Sequence, residues 1–507
     1  MTLAKLLTNG EDQSPAIGAP DRSPMTYAHL RMLTTTIAED FSRHGIGAND
    51  RIAIVLPNGP EMVTSFVATA AIATAAPLNP AYKAAEFEFY LADLQAKAII
   101  VAAGSRSPAR DVASRLGVQI IELVGQADAP AGHFDLDFGG MPSGSTTMSP
   151  DPDGTALVLH TSGTTSRPKI VPLNQVNLCA SAAHIGKTLS LTQNDLCLNV
   201  MPLFHIHGLI AAVLSSLNVG ACVNCTPGFN AIKFFAWMEA IDPSWYTAVP
   251  TMHQAILDRA ERNTAAVAAV KLRFIRSSSS SLPAQVMQRL EQTFSCPVIE
   301  SYGMTEAAHQ MTSNMLPPGQ RKAGSVGVAA GPDVRLMDAS GKFVTGEEGE
   351  IAIRGPNVTS GYEANEQANL DAFVADPTGG SHWFRTGDQG VFDDDGFLTI
   401  SGRLKEIINR GGEKIAPREV DDVLMDHPAV SQVVTFAAPH AKLGEDVAAA
   451  VVLRDGEDVS ERELRDFAAT RLAAFKVPRT ILFLEEIPKG ATGKLQRIGL
   501  AEKLGLN

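Results

Sequence analysis

The segment 161–169 concentrates residue types that bind phosphate. It reads Thr-Ser-Gly-Thr-Thr-Ser-Arg-Pro-Lys and follows the apolar run 156–160, which we predict to be a strand. Glycine permits a tight backbone path, so that successive N–H groups and hydroxyls can converge on one anion, and the lysine adds a cation. The spacing differs from that of a Walker A loop. The length of the run favours a phosphate cradle over a polar surface loop, with contacts from Thr161, Ser162, Gly163, Thr164, Thr165 and Lys169.

The elements that must position this loop alternate in type along the chain. Short apolar runs lie at 51–56, 98–102, 156–160, 245–249 and 273–276, and amphipathic segments of helical length lie at 61–75, 252–259 and 284–294. This alternation predicts parallel sheets covered by helices. Strand-like segments at 335–338, 350–354 and 390–400 are bounded by Gly, Asp and Asn, which predicts a β-rich subdomain over about 330–402.

A second domain is expected after Gly402. The chain has 507 residues, which is beyond the size at which one hydrophobic core keeps growing. Predicted helices at 417–425 and 460–472 and strands at 430–437 and 447–453 would form a compact α+β unit. We therefore predict an α/β protein, with a large N-terminal domain of two parallel-rich sheets and a β-rich subdomain (1–402) and a small, mobile α+β C-terminal domain (403–507).

The composition is that of a soluble enzyme without a nucleic-acid or lipid partner. Hydrophobic residues make up 45% and charged residues 19%, and the net charge of −13 leaves no basic field to attract nucleic acid or anionic membranes. The N-terminus becomes acidic before a signal peptide could form, and the last residues are not a peroxisomal address. Five cysteines in apolar surroundings, Cys222 and Cys225 among them, favour buried thiols in the cytoplasm over a metal or redox site.

Four further motifs occur in a fixed order after the phosphate loop. They are Ser-Tyr-Gly-Met-Thr-Glu at 301–306, Phe-Arg-Thr-Gly-Asp at 384–388, Gly-Arg-Leu-Lys-Glu at 402–406 and Pro-Lys-Gly-Ala-Thr-Gly-Lys at 488–494. With the loop, they make the chain resemble the adenylate-forming superfamily of acyl-CoA synthetases, firefly luciferase and peptide-synthetase adenylation domains. The segments 274–282, 304–314 and 473–478 are most similar to oxalate-CoA ligases. Ser301 and Ile170 depart from the usual family pattern, and neither removes a reacting group.

The resemblance implies ATP and Mg²⁺ as cofactors, and it gives each motif a role. Glu306 would bind Mg²⁺, Tyr302 would face adenine, and Asp388 with Arg403 would bind ribose. Lys494 would neutralise charge at the α-phosphate, with Thr161 and Glu306 as further catalytic residues. Glu300, Ser301, Gly303 and Thr305 would complete the nucleotide site.

The resemblance also implies a second half-reaction with CoA as co-substrate. The C-terminal domain would first present Lys494 and then rotate about the hinge at Lys405. The rotated face would line a thiol tunnel, where Gly411 and Gly412 let a pantetheine arm pass close to the backbone. Lys476 could add a cation for the phosphates of CoA.

The segments that form the acyl pocket in this family are polar in this chain. They predict acid contacts from His205, His207, Ser279, Ser280 and His309, with His207, Ser280 and His309 clamping a second carboxylate. Burying unpaired hydroxyl and imidazole groups against an alkyl chain costs roughly 1–3 kcal/mol per group, which favours a polar acid such as oxalate. The alternatives are a short- or medium-chain fatty acyl-CoA synthetase, an adenylation module that needs a carrier domain, and a catalytically dead nucleotide-binding homologue.

Overall fold

A computed structural model describes residues 1–126, 128–144, 151–161, 168–376, 379–489 and 495–506. Within these ranges the strands form four sheets. Two parallel-rich sheets precede an antiparallel sheet, and a mixed sheet with its own helices follows. The predicted α/β class, with a β-rich subdomain and a C-terminal α+β unit, is confirmed. The division at residue 402 stays a prediction.

The first parallel-rich sheet carries the phosphate-loop hairpin at one edge. In spatial order its strands are Phe134–Asp137, Gln119–Gly125, Ala98–Ala102, Arg51–Val55, Thr74–Pro77, Thr155–Thr161 and Lys169–Asn174. The five central strands run parallel, and the two edge strands are antiparallel to their neighbours. Thr161 pairs with Lys169, so the two ends of the predicted phosphate loop lie side by side.

The second sheet carries the residues of the predicted adenine and acid sites. In spatial order its strands are Val328–Ala329, His309–Ser313, Val298–Met304, Phe274–Ser277, Trp245–Ala248, Leu196–Asn199, Cys222–Cys225, Pro15–Ala19 and Arg22–Thr26. The strands from Val298–Met304 to Pro15–Ala19 are parallel, and the others pair antiparallel.

The helix Pro60–Ile72 is apolar around its whole circumference. Every residue in it except Glu61 is buried, and its side chains belong to the core that both parallel-rich sheets share. A helix that is hydrophobic on all faces must be covered on all faces. This segment therefore joins the two sheets into one body.

The antiparallel sheet and the C-terminal sheet complete the chain. The antiparallel sheet has the order Phe343–Val344, Asp333–Met337, Gly349–Arg354, Trp383–Phe392, Phe373–Val374, with Leu398–Arg403 also paired to Trp383–Phe392. The C-terminal sheet has the order Glu413–Ile415, Ile408–Arg410, Gly444–Leu453, Val430–His440, with Thr480–Phe483 also paired to Gly444–Leu453. Helices Pro417–Met425 and Glu461–Ala469 pack on the C-terminal sheet through a separate apolar cluster.

The remaining helices cover the sheets and connect their strands. They are Leu3–Leu6, Leu7–Asn9, Tyr27–Arg43, Ala84–Leu94, Pro108–Leu116, Gln175–Thr188, His207–Leu214, Ser215–Asn218, Phe234–Ile241, Pro250–Ala260, Thr264–Ala269, Ala284–Phe294, Thr305–Ala307, Glu366–Ala372 and Leu500–Lys503. Within the described ranges, every helix is too short or too polar to span a bilayer.

Several predicted elements have different bounds in the structure; the predicted helix 460–472, for example, is Glu461–Ala469. Two of the differences have a clear physical cause. The predicted helix 61–75 ends at Ile72, because Thr74 starts a strand in which its N–H donates to the carbonyl of Asp50 and its hydroxyl to that of Thr155. The predicted strand 390–400 is two strands, because Gly396 takes a positive φ of 80° in a turn between them. In both places tertiary or turn contacts end an element that the local pattern would extend.

The five cysteines are buried free thiols. Burial raises the pKa of Cys222 to about 12, and it raises the pKa of Cys225 still further. Both residues lie on one strand of the second sheet. These properties support a packing role for the Cys-x-x-Cys pair.

Candidate active site

Three strands bring the predicted adenine and ribose residues together. Asp388 lies opposite Arg403 in an antiparallel pair, and Arg403 Nε donates to Asp388 Oδ1 at 2.8 Å. The Tyr302 hydroxyl donates to the other carboxylate oxygen, and the ring is buried. Burial raises the pKa of Tyr302, while the Asp388 carboxylate raises the pKa of Arg403. Each carboxylate oxygen still has a lone pair left, which is what binding two ribose hydroxyls requires.

A second group joins Glu306 to Lys169 through an aromatic ring. The Tyr362 hydroxyl donates to Glu306 Oε1 at 2.8 Å, and Lys169 Nζ lies 4.2 Å from the centroid of the Tyr362 ring. Burial is the main cause that raises the pKa of Glu306. Burial and then the positive charge of Lys405 lower the pKa of Lys169. This cluster holds one buried acid beside two cations, which is an electrostatic environment suited to a polyphosphate and its metal ion.

Some predicted site residues lie outside the described residues. They are Ser162, Gly163, Thr164 and Thr165 of the phosphate loop and Lys494. The described ends of both loops are closed by pairing, Thr161 with Lys169 in one and Lys489 with Leu495 in the other.

Residues 301–304 of the motif predicted to bind adenine lie on the strand Val298–Met304. Glu300 is buried, accepts a hydrogen bond from the Leu282 N–H at 2.9 Å, and has its pKa raised to about 7 by burial. Ser301 is buried, and its carbonyl accepts from the Ser278 hydroxyl. Thr305 is half-buried and starts the short helix that carries Glu306. A Cβ at Gly303 would lie only 1.9 Å from the carbonyl oxygen of His309, so glycine is required where these two strands meet.

Three of the residues predicted to contact the acid, His207, Ser279 and His309, lie together in a largely buried polar cluster at the start of the helix His207–Leu214. His207 Nδ1 lies 3.0 Å from the Ser279 hydroxyl, and His207 Nε2 lies 2.6 Å from that of Thr247. The rings of His207 and His309 are 5.0 Å apart between centroids and tilted by 59°. The helix is of the π type, a form that often occurs at functional sites. Two imidazoles and two hydroxyls thus face one another in the interior.

His309 is held in place by an unusual backbone. Ala308 and His309 have φ values of 46° and 105°, and a register shift interrupts the strand pair beside them. Such conformations cost of order 1–3 kcal/mol each and persist where the surrounding structure imposes them. The strain fixes the imidazole of His309 opposite His207.

Two of the residues predicted to contact the acid, Ser280 and His205, are less buried than His207 and His309. Ser280 is exposed, whereas the hydroxyl that contacts His207 belongs to Ser279, which has a φ of 74°. His205 is half-buried, and its Nδ1 accepts a long hydrogen bond of 3.4 Å from the His207 N–H. The hydroxyl beside His207 in this structure is therefore that of Ser279 and not that of Ser280, and the predicted clamp stays a prediction.

Three residues of the site were missed by sequence reasoning. Tyr362 and Thr247 contact Glu306 and His207, and Arg276 lies beside His309 on the strand Phe274–Ser277. Arg276 is fully buried, although arginine in a strand pattern ordinarily indicates a solvent-facing position. Its position directly after the apolar pair Phe274 and Ile275 in a predicted strand was the one available signal.

The residues predicted to form the hinge and to contact CoA lie at separate places in and around the C-terminal sheet. Lys405 is exposed in the turn after Arg403. Gly411 and Gly412 have φ values of 60° and 103° in the hairpin between two strands of that sheet. Lys476 Nζ forms an ion pair of 2.7 Å with Glu419 on the helix Pro417–Met425.

One arginine ties the lysine loop to the hinge. Arg497 Nη2 pairs with the buried Asp421, and Arg497 Nη1 lies 3.4 Å from Glu406 Oε2. Glu406 follows the predicted hinge residue directly, and Arg497 follows Lys494 by three positions. The base of the predicted lysine loop is therefore attached to the hinge within the C-terminal unit.

Residues 9–363 match the AMP-binding enzyme family, and residues 419–494 match the C-terminal domain of AMP-binding enzymes. The chain belongs to this family, as its motifs predict.

The chain is also similar to named members of it. It is 44% identical to an oxalate–CoA ligase of Arabidopsis thaliana, with 98% of this chain and 97% of the relative covered. An oxalate–CoA ligase of Saccharomyces cerevisiae is 41% identical, with 89% and 86% covered. The ATP-bound crystal structure of MatB from Rhodopseudomonas palustris superposes with a TM-score of 0.86 at 27% identity, with 99% of each chain covered. The use of ATP and CoA is consistent with this membership.

Proposed function

We propose that this enzyme is an AMP-forming acid–CoA ligase whose acid is oxalate. One oxalate carboxylate attacks the α-phosphorus of ATP, and pyrophosphate leaves. The thiol of CoA then attacks the acyl carbon of oxalyl-AMP and loses its proton, and AMP leaves with the bonding electrons. The observation that carries the choice of acid is the polar cluster formed by buried His207, Thr247 and His309 with half-buried Ser279.

This cluster favours a small polar acid over a fatty acid. An alkyl chain lying against these imidazoles and hydroxyls would desolvate them without giving hydrogen bonds, at roughly 1–3 kcal/mol per group. A second carboxylate offers acceptors to the donors that the contacts of His207 with Ser279 and Thr247 leave available. The identity with oxalate–CoA ligases over nearly the whole chain supports the same acid.

The nucleotide residues supply positive charge where the transferring phosphate becomes more negative. Lys169 faces the phosphates from the phosphate-loop hairpin, and Lys494 would approach the α-phosphate at transfer. Magnesium commonly takes one protein carboxylate and completes its coordination with phosphate oxygens and water. Glu306 fits that role as a buried acid. Bound Mg²⁺ would neutralise the leaving pyrophosphate.

Replacing Glu306 by Gln tests the metal assignment. The change keeps the shape and one oxygen but removes the charge, so we expect adenylation to fall by about tenfold or more and the half-saturating Mg²⁺ concentration to rise. Pyrophosphate release titrated against Mg²⁺ measures both. Tyr362→Phe removes only the hydrogen bond to Glu306 and serves as the control. An unchanged magnesium titration in Glu306→Gln would remove this residue from the metal site.

The two half-reactions are divided between two arrangements of the 403–507 domain on the 1–402 domain. Present contacts between them include Arg418 Nη1 with the Ile400 carbonyl at 2.7 Å and Gln285 Nε2 with Asp426 at 2.8 Å. Rotation about Lys405 would exchange such contacts and bring Gly411 and Gly412 to the acid, where CoA enters.

Lys405→Pro should separate the half-reactions. Proline fixes φ at position 405 and restricts Leu404, so the hinge cannot make the backbone change that rotation requires. We expect oxalyl-AMP formation close to the wild-type rate and thioester formation reduced by about tenfold or more. Lys405→Ala, which keeps backbone freedom, is the matched control. Equal losses in both half-reactions would contradict a rotating hinge here.

The decisive experiment is pyrophosphate release by the purified enzyme with ATP, Mg²⁺ and CoA over a panel of acids. Oxalate should exceed malonate, acetate, butyrate and octanoate in kcat/KM. Preference for butyrate or octanoate would replace this function by fatty acyl activation, and no release with any acid would indicate a binding homologue. The five buried free thiols support a reducing compartment, which we propose to be the cytoplasm.

A further inference from the structure

Arg276 is a buried cation with incomplete hydrogen bonding. Its side chain is 0% exposed. Nη2 lies 3.3 Å from Gln310 Oε1 and 3.5 Å from His309 Nδ1. Nε and Nη1 are buried and have no hydrogen-bond partner among the described residues. Two nitrogens of one guanidinium, with three N–H donors between them, are therefore left for something else.

The charge of Arg276 is also uncompensated. Within the described ranges, no Asp or Glu side chain contributes to its electrostatic environment. Burial lowers the pKa of Arg276 to about 9, so the group is still mainly protonated at neutral pH. A buried ion without a counter-ion is strongly destabilising and is retained where it serves a purpose.

Arg276 lies in the acid cluster rather than in the apolar core. It pairs in register with Thr247, which contacts His207, so the two side chains share one face of the sheet. Since arginine can only donate, its approach to His309 Nδ1 favours the tautomer with the proton on Nε2. The cluster thus combines a fixed positive charge with imidazole and hydroxyl donors.

We propose that Arg276 is the counter-cation for a second negative charge on the acid, so that the site selects small dianionic acids. This inference rests on the proposed function in so far as the cluster is the acid site of an acid–CoA ligase. The reacting carboxylate of any acid must face the α-phosphate and cannot also neutralise Arg276. A neutral end group would leave the guanidinium unpaired, whereas a second carboxylate would pair with it and accept from Nε and Nη1.

Oxamate tests the charge directly, because it has the size of oxalate with an amide in place of one carboxylate. We expect wild-type kcat/KM for oxalate to exceed that for oxamate by on the order of 100-fold or more. Arg276→Met should remove most of this ratio by lowering oxalate activity, and Arg276→Lys, which keeps the charge, should retain more of it. Arg273→Met is the matched control, since Arg273 pairs with Asp195 and should affect stability but not the ratio. Thermal midpoints are measured for each variant.

The outcomes separate this inference from the proposed function. If wild-type enzyme prefers malonate or sulfoacetate to oxalate, oxalate is the wrong acid. The role of Arg276 is then tested by the kcat/KM ratio between the preferred dianion and an analogue of the same shape with a single negative charge. Equal use of oxalate and oxamate by the wild type would overturn the inference without any variant. Parallel loss of both acids in folded Arg276→Met would do the same and would make Arg276 a structural residue.

Discussion

Lys494→Ala is expected to lose acyl-adenylate formation by on the order of 10²–10³-fold, the effect of removing one charge-stabilising group from a transition state. Because the lysine acts on charge that develops during transfer, kcat should fall. The affinity for ATP and the thermal unfolding midpoint should stay close to wild type. Oxalate-dependent exchange of pyrophosphate into ATP measures the step.

Lys489→Ala is the matched control for this prediction. Lys489 lies at the other end of the same loop, is exposed, and pairs with Glu486 at 2.8 Å. Its removal should leave adenylation unchanged within about twofold, because a surface ion pair contributes little. Adenylation at the wild-type rate in Lys494→Ala would show that the lysine motif is wrongly assigned.

The second large effect is expected in the acid cluster. His207→Ala or His309→Ala would leave the distal carboxylate of oxalate desolvated with a partner missing, which costs roughly 2–5 kcal/mol. Activity with oxalate should fall accordingly, while a monocarboxylic acid such as butyrate should keep its low kcat/KM or improve in the larger, less polar site. The informative quantity is the ratio of the two acids.

His184→Ala provides a histidine control outside the cluster. His184 is half-buried and lies against Gly331, so its loss should change neither acid by more than about twofold. A preference of the wild type for butyrate, or equal losses of both acids in His309→Ala, would refute the clamp and restore the fatty-acyl alternative.

The architecture was predictable where the local pattern and the tertiary environment agree. Alternating apolar and amphipathic segments indicated the two parallel-rich sheets, and the helix Ala284–Phe294 was predicted with its observed bounds. The end of the helix Pro60–Ile72 could not be predicted in this way. The alanines that follow it suit a helix, and only the contacts of Thr74 place them in a strand. The strand partner, not the local sequence, decides that boundary.

The candidate site divides in the same way. Glu306, Asp388 and Arg403 stand in contiguous motifs and could be predicted from them. The environment of Arg276 could not, because only a packed structure reveals that this buried guanidinium has no carboxylate beside it among the described residues. In the serine run, the sequence alone could not show that Ser279 and not Ser280 contacts His207, because the strand ends at Ser277 and the positive φ of Ser279 belongs to the turn that follows.

The close approach of Gly303 to His309 has a consequence for how such an enzyme can diversify. Gly303 of the predicted nucleotide site and His309 of the predicted acid site share one backbone crossing, with no room for even a methyl group between them. A substitution that shifted the backbone at 309 to suit a larger acid would also displace the strand that carries Tyr302. A change of acid specificity is therefore expected chiefly through side chains around this crossing, at positions such as 247, 276 and 279, rather than through its backbone.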